Sequence, residues 1–512
     1  MRQDRRVRAA RPAVRSDRDG ADRRDRDRPG TRRDIALGVS SAEGWLDAVS
    51  VRRLERRVGD ALRRARAVGA AQLASVTCGV DAGVDPTAVA VASRRPGEEW
   101  FCLEQPDRDG YAVASVGSVR VLEADGSDRF GVVARRWSAV AAAAFADAPD
   151  GPPGSGLVAL GGFAFAPDGG GSPRWQGFAP ASLVVPEVSL ARGAGRVSLT
   201  VNVEAAPDDT PDDLLARVAE RVGELRSPAL PLFDPAPTGE YRVVSPMPPS
   251  HYEEAVARAV QRIRSGMLEK IVLARDVEVH APVDHDLGAA LGLLREAFPS
   301  CYVFAVGRGD AAFIAASPEL LVRRDGARAS TVGLAGSSRR SADPAIDEHL
   351  GEQLLQSEKD REENAIVVRR IARALRPVSV WVTAAPEPSL VRVANIIHLG
   401  TPIRAQLAAP LSAVDLAGIL HPTPAVGGEP LEVAAPLIPA LEGLDRGWYA
   451  GTVGWTDAAG DGEFCVALRC ALVRGRLAHL YAGGGIVRDS DPVAELAETE
   501  VKLGALLPVL AG

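Results

Sequence analysis

Apolar residues recur at three- and four-residue spacing through Ala42–Ala71, a pattern that predicts a helix. Val76–Ala92 reads as turn-broken strand, and the chain from about Trp100 to Val203 is β-rich. Within that stretch Gly156–Pro167 and Ser182–Leu190 are predicted as buried strands between Gly/Pro/Asp loops, with Pro167–Pro173 a surface loop. The alanine-rich Ala139–Ala146 is too short to cross a membrane and predicts a buried helix. Asp208–Arg226 has the pattern of an amphipathic helix. Residues 227–247 are proline-rich and are predicted to connect two halves.

The second half opens on Ser250-His251-Tyr252-Glu253, a capping-box pattern ahead of a helix running to Ser265. Lys270–Arg275, Cys301–Val306 and Ala311–Ala316 are predicted strands, and a charged helix is predicted from about Asp347 to Leu375. Val453–Trp455, Glu463–Val473 and Ala478–Tyr481 again read as strands, and the last helix covers about Val493–Leu510. No internal repeat is visible. The pattern is that of a mixed α/β chain whose recognisable chemistry lies beyond residue 250.

Composition narrows the class. The 512 residues, 46% apolar and 25% charged, are those of an ordinary globular protein. Cys78, Cys102, Cys301, Cys465 and Cys470 form an odd set without a CxxC pair. Neither a disulfide framework nor a zinc site is indicated, and a reducing cytoplasm is the expected compartment. Residues 1–33 hold thirteen Arg and six Asp, a balance of +7, so the net charge of −7 leaves −14 on the rest. Asp alternates with Arg in this arm and no aromatic is interleaved, which argues against nucleic-acid binding. No apolar segment follows it, which argues against a secretory signal. Residues 1–35 are read as a disordered tail or as the product of an upstream start codon, and their deletion is expected to leave turnover unchanged. A tenfold fall in the truncated protein would overturn that expectation.

The basic residues carry the sharpest signal. Of 60, only Lys270, Lys359 and Lys502 are lysine. Arginine cannot act as a base, whereas a lysine can be tuned by burial, so these three positions become candidates for chemistry. Glu495, Glu498 and Lys502 fall on one helical face, and Asp360 and Glu363 repeat the i,i+3 carboxylate spacing on the earlier charged helix. The same spacing also suits a solvated salt-bridge ladder. Two such helices together can surround a hard divalent cation, and all-oxygen ligation suits Mg²⁺. Glu319, just past an apolar strand in Ser317-Pro318-Glu319-Leu320-Leu321, is placed where burial would make it a general acid. Lys270, on a strand among Ile, Val and Leu, could be driven toward neutrality and act as a base.

These residues stand in motifs that resemble a known family. LEKIVLAR (Leu268–Arg275), ASPELL (Ala316–Leu321), LAGSSRR (Leu334–Arg340), SEKDREE (Ser357–Glu363) and HPTPAVGG (His421–Gly428) occur in the order found in chorismate-utilising enzymes. GWYAGTVGW (Gly447–Trp455), EFCVALRCA (Glu463–Ala471), AGGGIV (Ala482–Val487) and ELAETEVK (Glu495–Lys502) continue the series. Within that family the chain looks most like the isochorismate synthases. The match is dense over residues 240–510 and loose before them. It implies an α/β fold of the α+β type: two stacked, mainly antiparallel sheets flanked by helices, with the active site in the cleft between layers. Residues 36–240 would form a β-rich N-terminal half and 241–512 the chorismate-binding catalytic region.

The resemblance also implies roles. Glu363 and Glu498 would hold Mg²⁺, with Asp360 and Glu495 supporting through water, and the metal would grip the ring carboxylate of chorismate. Arg469 and Tyr449 match positions that hold the enolpyruvyl carboxylate. Lys502, Gly483 and Gly485 match positions near the carboxylates, and Gly336, Ser337, His398 and Ala425 match further substrate-side positions. Amine-transferring members lack a lysine at the position of Lys270, so its presence implies water as nucleophile. Lys270 would deprotonate a water attacking C2 while Glu319 protonates the departing C4 hydroxyl, giving isochorismate without a redox cofactor. Salicylate synthases, the alternative, commonly carry threonine where this chain has Ala425. A non-catalytic binding protein would be expected to have lost one of these groups. Two positions depart from the family: Asn364 follows Glu363 where His is frequent, and Ile397 precedes His398 where Gln is found. A monomer without a glutaminase subunit is expected, and its product, isochorismate, would feed menaquinone, siderophore or salicylate-type metabolism alike.

Overall fold

Alternation along the strands assigns each side chain to one of two cores. In Gly97–Gln105, Phe101 and Leu103 enter one cluster while Trp100 and Cys102 enter another. Tyr302–Gly309 repeats the division, with Phe304 and Val306 on the first side and Val303 and Ala305 on the second. A strand buried on both faces reads as a continuous apolar run, which is why these segments carried no polar alternation. The first core lies between two stacked sheets, and the second lies between the larger sheet and a layer of helices.

The computed structural model describes residues 44–148, 150–232 and 239–511, and the predicted tail at 1–35 lies outside them. The described residues from Trp45 onward form one compact unit. Among the described residues the larger sheet has twelve strands and the smaller has ten, and every strand pair is antiparallel. Both sheets draw strands from either side of residue 240. Tyr302–Gly309 pairs with Gly97–Gln105, and Thr452–Asp457 pairs with Val158–Phe163. The inter-sheet core is aromatic: Phe163, Phe304, Phe313, Trp448 and Phe464 are all fully buried there. Helices Ala48–Val68, Pro211–Gly223 and Leu287–Ala297 cover the outer face of the larger sheet. No helix of the described residues is long and apolar enough to cross a membrane.

Several local expectations are corrected. Of the segment Val76–Ala92 only its start is strand, the end of Gln72–Val80; Pro86–Ser93 is helix, because the Asp85 carboxylate accepts from the Thr87 and Ala88 amides and Pro86 opens the first turn. The alanine run belongs to the helix Arg129–Ala143, and it is the exposed end: Phe130, Val133, Ala134 and Trp137 are buried while Ala139, Ala142 and Ala143 face water. The helix Pro249–Arg264 starts on Pro248 without a side-chain cap, so the Ser250–Glu253 pattern does not act as a capping box. Three predicted continuous elements are broken. Ser357 ends Pro344–Gln356 and caps Glu358–Leu375; residues 467–469 separate Gly462–Val466 from Cys470–Arg474; Gly504 ends Pro492–Leu503. The first two breaks fall at the site described next.

Candidate active site

The strand Lys270–His280 supplies one wall. Ile271 and Leu273 point into a small core with the helices Pro249–Arg264 and Leu431–Glu442. The alternate residues Lys270, Val272 and Ala274 therefore face the inter-sheet side. The neighbouring strand Leu477–Ile486 places Gly485 opposite Val272 and Gly483 opposite Ala274, which clears the wall of side chains. Glu319 lies where the chain leaves the larger sheet at Ser317 and enters the smaller one at Leu320. Two helices close the cleft from different sheets. Glu358–Leu375 packs on strands Arg328–Arg339 and Ile396–Leu407 of the smaller sheet, and Pro492–Leu503 packs on Leu477–Ile486 of the larger.

The resulting cleft encloses about 630 Å³, its open mouth included. Glu319, Gly336, Ser337, Glu363, His398, Ala425, Tyr449, Arg469, Gly483, Gly485, Glu498 and Lys502 all line it. Three expected site residues stand behind its wall. Lys270, completely buried, reaches Glu363 with Nζ 2.8 Å from Oε1. The approach is an ion pair without hydrogen-bond geometry, so Nζ has no hydrogen-bond partner among the described residues. Asp360 accepts from the Ser357 hydroxyl and stands beneath Gly336. Glu495 is buried and takes Lys359 Nζ at 2.9 Å.

Burial sets the proton states. It pushes the Glu319 carboxyl up to about 8, against the pull of Arg469 and Lys270, so this acid is protonated at neutral pH. Burial, then Arg469 and Lys502, hold the His398 imidazole far below its ordinary range. A neutral His398 accepts from Arg469 Nη2 through Nε2 at 2.8 Å, which assigns the proton to Nδ1 and its donation to the Gly336 carbonyl at 3.3 Å. His398 thus orients the guanidinium. Arg469 itself has φ +47°, a left-handed backbone uncommon for a side-chain-bearing residue, and this turns it inward out of the strand line.

The carboxylates are balanced by ammonium groups. Burial opposes the charge on Glu498, but Lys502 at 2.7 Å, the Ser337 hydroxyl at 2.6 Å and Lys359 outweigh it and bring the group to about 2. Lys502 also donates to the Gly483 carbonyl at 2.8 Å. Burial followed by Glu498 raises Glu495, and burial followed by Glu363 and Glu498 raises Asp360. Four carboxylates thus strain against one another around three lysines, and Glu495 Oε2 is buried without a hydrogen-bond partner. No three His, Cys, Asp or Glu side chains of the described residues form a ready metal cage. The all-oxygen donors and their surplus charge nevertheless fit a hard divalent cation.

Parts of the site escaped sequence reasoning. Tyr481 lines the cleft and stacks on Tyr449, with ring centres 5.1 Å apart; its place two residues before Gly483 on the same strand was the available signal. Asn364, the departure from the family pattern, donates to the Gly333 and Leu399 carbonyls and accepts from Thr401, so it locks the Glu363 helix onto the smaller sheet. The buried pair Glu442 and Arg446 ties the Ala274 amide, the Val272 carbonyl and the Val426 carbonyl together, fixing the Lys270 strand against the Ala425 loop. Nothing in the spacing of those residues announced it.

The glycine wall leaves no spare room. A Cβ at Gly485 would collide with Glu363 and stand 2.9 Å from Lys270 Cε. Gly485→Ala is expected to keep the fold, read by circular dichroism, and to lose about 100-fold in kcat/KM, the scale of a displacement near 1 Å at reacting groups.

Comparison with known proteins agrees with this architecture. Residues 60–511 match the family described as chorismate binding enzyme. The chain is 37% identical to the salicylate biosynthesis isochorismate synthase of Pseudomonas aeruginosa, over 80% of this chain and 85% of that one. It is 34% identical to the isochorismate synthase MenF of Bacillus subtilis, over 70% and 75%. Among solved structures, the menaquinone-specific isochorismate synthase MenF of Escherichia coli superposes with a TM-score of 0.71 at 25% identity, covering 90% of this chain and all of that one. The chain belongs to the chorismate binding enzyme family.

Proposed function

We propose that this family member is an isochorismate synthase, converting chorismate reversibly to isochorismate. Water adds at C2, the ring double bonds shift, and the C4 hydroxyl leaves as water, so substrate and product are isomers. Lys270, as the neutral amine once released from its ion pair with Glu363, takes a proton from the attacking water, and Glu319 delivers one to the departing hydroxyl. What supports this most is that a buried, protonated acid, Glu319, lines the cleft while the buried Lys270 stands just behind its glycine wall, one from the crossing between sheets and one from the inner face of the larger sheet. Arg469, oriented by neutral His398, and Tyr449 take the enolpyruvyl carboxylate, while Lys502 neutralises the substrate's second negative charge. Gly336, Ser337, Gly483 and Gly485 shape the floor and leave room for the ring.

Mg²⁺ is the proposed cofactor, held by Glu363 and Glu498 with Asp360 and Glu495 in support. When bound it supplies a positive anchor for the ring carboxylate. The small Ala425 in the cleft favours stopping at isochorismate rather than expelling pyruvate to give salicylate. The proposed setting is a cytoplasmic monomer needing neither a glutaminase subunit nor nucleic acid. Chromatography of purified protein with chorismate and Mg²⁺ tests the reading. Isochorismate in equilibrium with chorismate, abolished by EDTA, is expected; salicylate with pyruvate, or no metal-dependent conversion, would overturn it.

A further inference from the structure

Every lysine of the chain is spent on the same task. Lys270 pairs with Glu363, Lys502 with Glu498 and Lys359 with Glu495, at 2.8, 2.7 and 2.9 Å. Two of these lysines have a place in the proposed chemistry, and Lys359 has none. It stands beside Asp360 on the helix Glu358–Leu375, yet it reaches across to the helix Pro492–Leu503, joining elements that pack on different sheets. Its partner is in an unusual position. Glu495 is 1% exposed, Oε1 is held by Lys359, and Oε2 has no hydrogen-bond partner among the described residues. Oε2 stands 3.0 Å from where a Cβ of Gly484 would be, so the glycine leaves the carboxylate room against the strand Leu477–Ile486.

We propose that Lys359 is a positioning residue: an internal counter-cation that occupies Glu495 in the resting enzyme and competes there with the divalent ion. The inference rests on the metal reading above and adds a regulatory element to it. With Lys359 in place, four carboxylates face three ammonium groups, and a cation arriving without substrate gains little net attraction. Arrival of a second anionic group, such as the substrate carboxylate, restores the negative surplus that a divalent cation needs. Lys359 thereby couples metal binding to substrate binding, and the coupling must be reciprocal. Arginine is abundant elsewhere in this chain, but a planar guanidinium would hold Glu495 through a more rigid two-point contact and yield less readily.

The test is calorimetric titration of the full-length protein with MgCl₂ alone, then with MgCl₂ in saturating chorismate, comparing wild type with Lys359→Met. Met keeps the length and apolar stem but not the charge. Without chorismate, the variant is expected to bind Mg²⁺ about tenfold more tightly, the scale of one unit charge removed at close range. The gain in metal affinity that chorismate produces should shrink correspondingly. In a Glu495→Gln background, Lys359→Met should change Mg²⁺ affinity much less, because the contested carboxylate is gone. This second cycle keeps the test decisive should the single variant fold poorly. If wild type binds Mg²⁺ and Lys359→Met binds it equally or more weakly, the proposed competition is wrong while the metal reading survives. If neither protein binds Mg²⁺ with or without chorismate, the metal reading falls and this inference with it.

Discussion

Replacing Lys270 by alanine is expected to lower kcat by about 10³-fold or more, at the upper end of what a positioned acid–base group contributes. Chorismate binding should persist, because the groups proposed to hold its carboxylates, Arg469, Tyr449 and Lys502, stand elsewhere in the cleft. Turnover followed by chromatography and chorismate affinity by calorimetry separate the two effects. The substitution also leaves Glu363 without its ammonium partner. Lys270→Met, which preserves the packed stem, distinguishes loss of the base from collapse of the wall. Unaltered turnover in either variant would remove Lys270 from the base role.

The second large effect is expected at Glu319. Glu319→Gln should cost about 10²- to 10⁴-fold in kcat, since glutamine keeps the shape but cannot deliver a proton to the leaving hydroxyl. The pH dependence has a definite sign. The working form is the protonated acid, present below a pKa of about 8 and lost above it. Activity should therefore fall as the pH rises through about 8, and the residual activity of the glutamine variant should lack that limb. Stability follows the same group. Its folded value lies above the unfolded one, so the folded state holds more protons between the two, and stability falls as the pH rises across that window. Glu319→Gln should remove that slope, visible as a flatter dependence of Tm on pH. A wild-type profile with no alkaline limb near 8 would contradict the assignment.

How far the site could be read in advance depended on periodicity. Glu495, Glu498 and Lys502 share a helical face by spacing alone, and the helix Pro492–Leu503 brings Glu498 and Lys502 into the cleft lining while Glu495 is buried behind it. The motif series pointed correctly to the chorismate-utilising fold, with its two antiparallel sheets. What periodicity cannot carry is long-range pairing. Lys359 and Glu495 are 136 positions apart, and their ion pair exists only because helices on different sheets meet over the cleft. Local chemistry overrode the pattern elsewhere. Ser357 looked like an interior residue of one long charged helix, but its hydroxyl accepts from the Asp360 amide and starts a new helix there. That break sets the direction in which Asp360 and Glu363 point. Arg469 read as one position in a continuous strand, whereas its left-handed backbone ends pairing and delivers the guanidinium to His398. The alanines of Ala139–Ala146 misled because small apolar residues tolerate water at a helix end as readily as they fill a core.

In the proposed mechanism the buried lysine activates solvent rather than guiding the substrate's own hydroxyl from C4 to C2. A conversion run in ¹⁸O-labelled water and followed by mass spectrometry of the early product tests this directly. One heavy oxygen in isochorismate, located at C2, is expected from the first turnovers onward. Unlabelled isochorismate formed at full rate would show that the oxygen migrates within the substrate, and Lys270 would then have no water to activate.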